Sequence, residues 1–396
     1  MMRVAMRFDT SCVPEMYEWL LGAPHVSDGG QSFVRDLATS LRERGLPLWR
    51  ISFSLLAKHP EVLWRTVRWH ETEGVTVVGR AHELAREASF KDSPVALLVS
   101  GAAPIRVRLN GSDLRFPVCR ELAEQGGTDY YAQGLNFSNG EVSYIAWATR
   151  EPGGFADDAV QALDELAPML ARRIELESSY YATRSLLEVY LGKNAAQRVV
   201  NGQFRRGGGE LISAAIWFCD LRGFTSISDR TSPTKVVEIL DTYFDCVAGV
   251  IAKHGGEVLK FIGDAILAIF PVAADAGDAC QRALAAAEQA LSSLEEVNQS
   301  RAGEAQLNIG VALHLGEVMY GNIGSRERLD FTVISSSVNE TSRLEGLCKT
   351  LGTRLTLSQA FVNVIARSDI VDLGEYDLKG VSSKRRVFTL ARFRPT

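Results

Sequence analysis

The sequence predicts an α+β protein built in two parts and joined by a helical connector. Three observations predict it. Between Leu211 and Leu313 the runs of β-formers and the runs with helical periodicity follow the order strand, helix, strand, strand, helix, strand. Two of those strands lead into an aspartate at a glycine turn, Asp220 three residues before Gly223 and Asp264 next to Gly263. The first 175 or so residues mix helical and alternating apolar patterns of their own, and a chain of 396 residues with 46% apolar and 23% charged residues has core enough for two or three domains.

From the N-terminus, helical periodicity covers Val13 to Leu21 and Ser32 to Arg44. Strand-like runs follow at Leu48 to Leu55 and Val62 to His70, then a helix at Ala81 to Glu87. Further short apolar runs are Ala96 to Ser100, Ile105 to Leu109 and Leu114 to Pro117. After the turn-rich Gln125 to Gly140, Val142 to Ala148 alternates as a strand and Asp157 to Glu175 reads as an amphipathic helix. Residues 1–175 are taken as one domain. Glu175 to Val200 continues as a helical connector, with Leu176, Tyr180, Leu187, Tyr190 and Leu191 on roughly one face, which fits a short coiled coil between two subunits. Residues 176–210 thus form the linker, closing in the glycine-rich Gly202 to Glu210 as a hinge.

In residues 211–396, Ala214 to Cys219 is an apolar run that ends on Asp220 and is followed by Gly223, Phe224 and Thr225. The glycine lets the backbone approach a phosphate, and the amides of the turn can donate to it. Ser232 and Pro233 read as the N-cap and first position of a helix that stops at Gly255-Gly256. Glu257 to Ile262 and Ala265 to Phe270 flank Gly263-Asp264, a two-residue hairpin signal. If that hairpin pairs with the strand ending at Asp220, two carboxylates meet at one sheet edge, as needed to hold two divalent cations on a nucleoside triphosphate. The Asp-x-x-Gly turn at Asp220 to Gly223 alone is more simply an ordinary turn. Asp275 to Val297 is the second helix and Leu307 to Leu313 the next strand, completing a ferredoxin-like βαββαβ plan shared with polymerase palms.

Four stretches carry a resemblance to a family: F-C-D-L-R-G-F-T from Phe218, V-L-K-F-I-G-D-A from Val258, the strand-and-turn stretch Gly310 to Gly324, and Asp330 to Glu345. Together, over Leu211 to Leu390, they resemble the catalytic domain of class III nucleotidyl cyclases, of the bacterial kind with a regulatory domain in front. The resemblance implies an adenylate cyclase that converts ATP to 3′,5′-cyclic AMP and pyrophosphate at a homodimer interface. It implies that Asp220, Asp264 and the Leu221 carbonyl hold two Mg²⁺ or Mn²⁺ ions. Lys260 and Thr332 then read the base, Thr332 rather than Asp330 standing seven before Asn339. Asn339 orients the ribose, Arg343 meets the transition state, and Lys379 contacts the terminal phosphates. Where many bacterial members have glycine, this chain has Ser335; a positive φ there would cost about a kcal/mol. Ser143 to Phe155 followed by the long helix resembles GAF-type sensor domains, which can hold a small ligand. Trp49, Trp64, Trp69, Tyr130, Tyr131 and Trp147 are the aromatics that could line such a pocket, although aromatics on strands are more often core.

The remaining features are bland. A net charge of −5 without a basic stripe argues against nucleic acid as a partner. Six scattered cysteines without zinc spacing read as reduced thiols, and His25, His59, His70 and His82 have no metal spacing. With no apolar run of membrane length and no apolar leader, the expected location is the cytoplasm, without a membrane span. Rival readings are a weak or inactive cyclase-like nucleotide-binding protein, a cyclase of another base preference, and a diguanylate cyclase. Retention of both aspartates opposes the inactive reading. Val258 and Leu259 after Gly255-Gly256-Glu257 oppose the diguanylate one.

Overall fold

The computed structural model describes residues 8–22, 28–56, 62–81, 92–111, 114–301, 304–381 and 383–395. The chain divides into two compact units, Met1–Val189 and Tyr190–Thr396.

The first unit is organised on an antiparallel six-stranded sheet in the order β3-β2-β1-β6-β5-β4. Its strands are β1 (Arg50–Leu56), β2 (Val62–His70), β3 (Gly74–Ala81), β4 (Ile105–Arg108), β5 (Asp129–Asn136) and β6 (Val142–Thr149). Helices α1 (Val13–Gly22), α2 (Gln31–Glu43), α3 (Pro94–Val99), α4 (Pro117–Glu124) and α5 (Asp157–Leu191) complete it. Strand alternation gives the sheet two different faces. Ile51, Phe53, Leu55 and Val67 pack with α1, α2 and α5, whereas Tyr130, Ala146 and Ala148 face the side covered by α3 and α4. The helix expected at Ala81 to Glu87 lies almost wholly outside the described residues, as do His25, His59 and His82. Strands β3 and β5 and helix α4 have no counterpart in the sequence reading, which took Gln125 to Gly140, where β5 lies, as turn-rich; α4 begins at Pro117, where a missing N–H costs nothing. The helix expected at Asp157 to Glu175 and the connector as far as Leu191 are one helix of 35 residues, with Leu176, Tyr180 and Tyr190 exposed along it; Gly192, at φ 82°, ends it, and Lys193–Val200 is a separate helix.

The second unit carries α6 (Lys193–Val200), β7 (Gly209–Leu221), α7 (Phe224–Arg230), α8 (Pro233–Lys253), β8 (Glu257–Ile262), β9 (Ala265–Pro271), α9 (Ala276–Ser300), β10 (Ile309–Gly324), β11 (Leu329–Ile334), α10 (Ser336–Leu351), β12 (Leu355–Ser358), α11 (Gln359–Val362), β13 (Ile370–Tyr376) and β14 (Arg385–Leu390). Sheet order is β13-β14-β12-β10-β7-β9-β8, with β11 paired to β10. Strand β9 lies between β7 and β8, and β7 between β10 and β9. Each crossover helix therefore spans a neighbouring strand, which is the split βαβ arrangement expected. Ser232 caps α8, accepting from the Lys235 amide, and Pro233 is its first residue, as expected.

Two expectations need correction. The stretch Gly310 to Gly324 has no turn but belongs to one 16-residue strand, because β7 pairs with it continuously from Ile309 to Gly321. Gly209 and Glu210, expected in the hinge, are the first residues of β7. All six thiols are free, and among the described residues no helix is long and apolar enough to cross a membrane.

Candidate active site

Strand β7 delivers Asp220 to the sheet edge because its apolar run is paired on both sides, with Asp220 opposite Ala265 of β9 and Gly310 of β10. The β8–β9 hairpin turns at Gly263, whose φ of 65° suits a residue without a Cβ. That turn leaves Asp264 one residue before Ala265, and the Asp220 and Asp264 carboxyls come within hydrogen-bonding reach. Burial first, then the charge of Asp264, pushes Asp220 up to about 6.

A second carboxylate–arginine pair stands close to the aspartates. The Arg222 Nη2 atom is 3.0 Å from Glu345 Oε1, yet neither atom has a hydrogen bond, so the contact is an ion pair without aligned donors. Glu345 is buried, and its carboxyl is pushed up to about 7 by that burial, opposed by Arg222 and reinforced by Asp220 and Asp264. Gly310 makes this closeness feasible. A Cβ there would stand 1.7 Å from Arg222 Nη2 and 2.5 Å from Glu345 Oε1.

The donors at this edge are two carboxylates and the Leu221 carbonyl; among the described residues no cluster of three or more His, Cys, Asp or Glu side chains could hold an ion. An all-oxygen set suits Mg²⁺ or Mn²⁺ rather than a soft metal, and a cation there would relieve the repulsion that raises Asp220. The residues therefore fit the expected ions. Gly223, at φ 72°, opens the turn into α7 with Phe224 and Thr225 as its first residues.

On β8, Lys260 donates to Asp330 Oδ2 at 2.5 Å, and both side chains are about 40% exposed (42% and 39%). Its ammonium holds the Asp330 carboxyl below the ordinary carboxylate range. Thr332 lies two residues further along β11 on the same face as Asp330, while Phe331 and Val333 turn into the core. The ligand-free chain thus gives the lysine to the aspartate that the sequence reading passed over.

Helix α10 has two faces. Thr341, Leu344, Glu345 and Cys348 are buried. Asn339 and Arg343, four apart, are exposed, and among the described residues their side chains make no hydrogen bond or ion pair. Lys379 is likewise exposed, in the turn Leu378–Lys379–Gly380 between β13 and β14. The fold brings Asp220, Leu221 and Asp264 together, sets Lys260 beside the β11 face bearing Thr332, and leaves the Asn339, Arg343 and Lys379 side chains without a hydrogen bond or ion pair among the described residues. Ser335 is extended (φ −173°) and caps α10 by accepting from the Val338 amide at 3.2 Å. The positive φ considered from the sequence does not occur, so serine is unstrained here.

Residues 210–391 match the adenylate and guanylate cyclase catalytic domain family. That region is therefore similar to class III cyclase catalytic domains. Relatives of the chain include an adenylate cyclase of Anabaena cylindrica, 35% identical over 37% of this chain and 30% of that protein. Adenylate cyclase 1 of Rhizobium meliloti is 38% identical over 37% of this chain and 22% of its own length. The chain thus spans less than a third of either relative. Among solved structures, the guanylyl cyclase Cya2 is 34% identical with a TM-score of 0.42, covering 46% of this chain and 94% of that one. The adenylyl cyclase CyaB from P. aeruginosa is 24% identical with a TM-score of 0.43, covering 46% and 95%.

Arg222 and Glu345 escaped the sequence reading, and Asp330 was weighed there and set aside for Thr332. Glu345 had a readable signal: Thr341, Glu345 and Cys348 recur at i, i+4 and i+7, a carboxylate inside a buried stripe of α10. Of the aromatics considered in the first unit, Trp64, Tyr130 and Trp147 line a cavity there, whereas Trp49, Trp69 and Tyr131 pack in its cores.

Proposed function

We propose that the chain is an adenylate cyclase that converts ATP to 3′,5′-cyclic AMP and pyrophosphate at sites shared between two copies, under control of its first unit. The observation that carries this reading is the Asp220–Asp264 pair, two carboxyls held together at a cost that a bound cation would remove. Held there, with the Leu221 carbonyl, two Mg²⁺ or Mn²⁺ ions would acidify the ribose 3′-hydroxyl and neutralise the leaving pyrophosphate.

The chain's own residues do the rest. Lys260 donates to a ring nitrogen of adenine, and the Thr332 hydroxyl accepts from its amino group. Guanine offers the reverse pattern and would leave both buried and unpaired. Asn339 orients the ribose, and the fork of Arg343 meets the charge that grows on the α-phosphoryl oxygens. Backbone amides of the Gly223–Thr225 turn and Lys379 bind the β- and γ-phosphates. Because the Lys260–Asp330 pair is half exposed, breaking it to admit the base costs about 0–1 kcal/mol.

The homodimer is supported by the exposure of Asn339 and Arg343 on the face of α10 opposite Glu345, which suits delivery into a second copy's metal site. The exposed positions 176, 180, 183 and 190 of α5, with the half-exposed 187, alternate in steps of four and three, the spacing of a coiled-coil seam. The first unit is read as a GAF-like sensor and the location as the cytoplasm. Assaying the purified full chain with ATP, GTP, CTP and UTP in Mn²⁺ tests the whole reading. Cyclic AMP as the main product is expected; comparable kcat/KM for GTP ends the base assignment, and no cyclic product from any nucleotide ends the enzymatic one.

A further inference from the structure

A cavity of about 280 Å³ lies within the first unit, on the sheet face opposite the one that packs against α1, α2 and α5. Strand register decides its chemistry. Ser52 sits opposite Arg68, and Arg50, two residues before Ser52, is on the same face. Two arginines therefore enter one cavity from adjacent strands.

Neither side chain is hydrogen-bonded among the described residues. Among the described residues Arg50, only 6% exposed, makes no hydrogen bond and has one carboxylate near it, Glu121 of α4, at 3.6 Å. The Arg68 Nε atom is buried without a partner. Burial, and after it the charge of Arg68, pulls Arg50 below its ordinary value, so the two guanidinium groups work against each other as the pocket stands. The hydroxyls of Tyr130 and Tyr144, on buried side chains lining the same space, also make no hydrogen bond among the described residues. A buried donor left unpaired, as Arg68 Nε is, is costly unless something accepts from it.

We propose that this cavity binds a small organic monocarboxylate, its carboxylate held by Arg50 and Arg68 and its apolar body against Trp64, Val118 and Leu122. Charge fixes the class. Among the described lining residues Arg50 and Arg68 face one acid, Glu121, an excess of a single positive charge that one carboxylate neutralises. A guanidinium fork matches a carboxylate with two parallel bonds, and the apolar remainder of the wall favours a hydrocarbon body over a bare inorganic ion. This deepens the sensor reading of the first unit by naming its ligand class, and it does not depend on what reaction occurs at Asp220.

The test uses the full chain, with binding read by calorimetry and by indole fluorescence, since Trp64 lines the pocket. Benzoate, phenylacetate and hexanoate are the probes, with benzamide as the uncharged isostere and inorganic phosphate as the competing anion. At least one monocarboxylate is expected to bind saturably, with benzamide and phosphate at least about tenfold weaker. Arg68→Gln, at a half-buried site, should weaken binding about tenfold to hundredfold, and Arg50→Lys should weaken it while keeping the charge. Glu121→Gln should tighten it, because the competing acid is gone. Far-UV circular dichroism of each variant establishes that it is folded. Failure of every carboxylate to bind the wild type, equal binding of benzamide or phosphate, or undiminished binding by folded Arg68→Gln would each overturn the proposal. Because binding is the readout, loss of this site and loss of cyclase activity are distinguishable.

Discussion

Replacing Asp220 by asparagine should stabilise the metal-free protein. The charged form of a carboxyl whose pKa has moved from 3.8 to about 6 is disfavoured by up to about 3 kcal/mol at neutral pH. Asp220 is partly accessible, so solvent screens some of that and about 1–3 kcal/mol is expected. For a domain of this size the gain corresponds to a Tm rise of about 2–12 °C. The folded protein holds this proton more tightly than the unfolded chain, whose aspartates titrate near ~3.9. The penalty is therefore absent below about pH 4, grows as pH rises to about 6, and is complete above it. In EDTA at pH 8, calorimetry should show Asp220→Asn melting above the wild type, with the gap narrowing at pH 5. Adding Mg²⁺ or Mn²⁺ should then raise the wild-type Tm and leave the variant's nearly unchanged. A variant no more stable than wild type at pH 8 without metal, or a gap independent of pH, would refute the reasoning.

Further tests address the other assignments. Arg343→Ala should lose about 10²–10³ in kcat and Asp220→Ala should lose metal-dependent turnover. Mixing the two should restore about a quarter of wild-type activity, since about half the dimers are mixed and each has one intact site of two; subunits shown by tagged pull-down to exchange without recovery would place each site within one chain. Asp330→Asn should change KM for ATP by less than about fivefold, given an ion pair worth about 0–1 kcal/mol, whereas Lys260→Glu with Thr332→Cys should weaken ATP use strongly. Loss of ATP preference in Asp330→Asn alone would make Asp330 the acceptor instead of Thr332. Removing residues 1–200 should change specific activity severalfold; unchanged activity and dimer affinity in the shortened chain would leave the first unit without a regulatory role.

What the sequence determined by itself is local or periodic. An apolar run ending in Asp220, a Gly263-Asp264 turn between two β-rich runs, and Ser232-Pro233 before a helical pattern each depend on a few adjacent residues. Their physical causes are turn geometry, capping and burial of one face, which act over the same few residues. The meeting of Asp220 with Asp264 was also legible, because a hairpin of that length fixes its own register and one further pairing completes the edge. The tertiary structure alone decided what depends on side chains distant in sequence. Lys260 reaches Asp330, seventy residues on, and Arg222 meets Glu345 over Gly310. Arg50 and Arg68 enter one cavity only because β1 and β2 pair in a register where residues 50, 52 and 68 share a face; a slip of one residue would send the set into the opposite core. No pattern within a short window encodes that register, since it follows from how a whole sheet buries both of its faces.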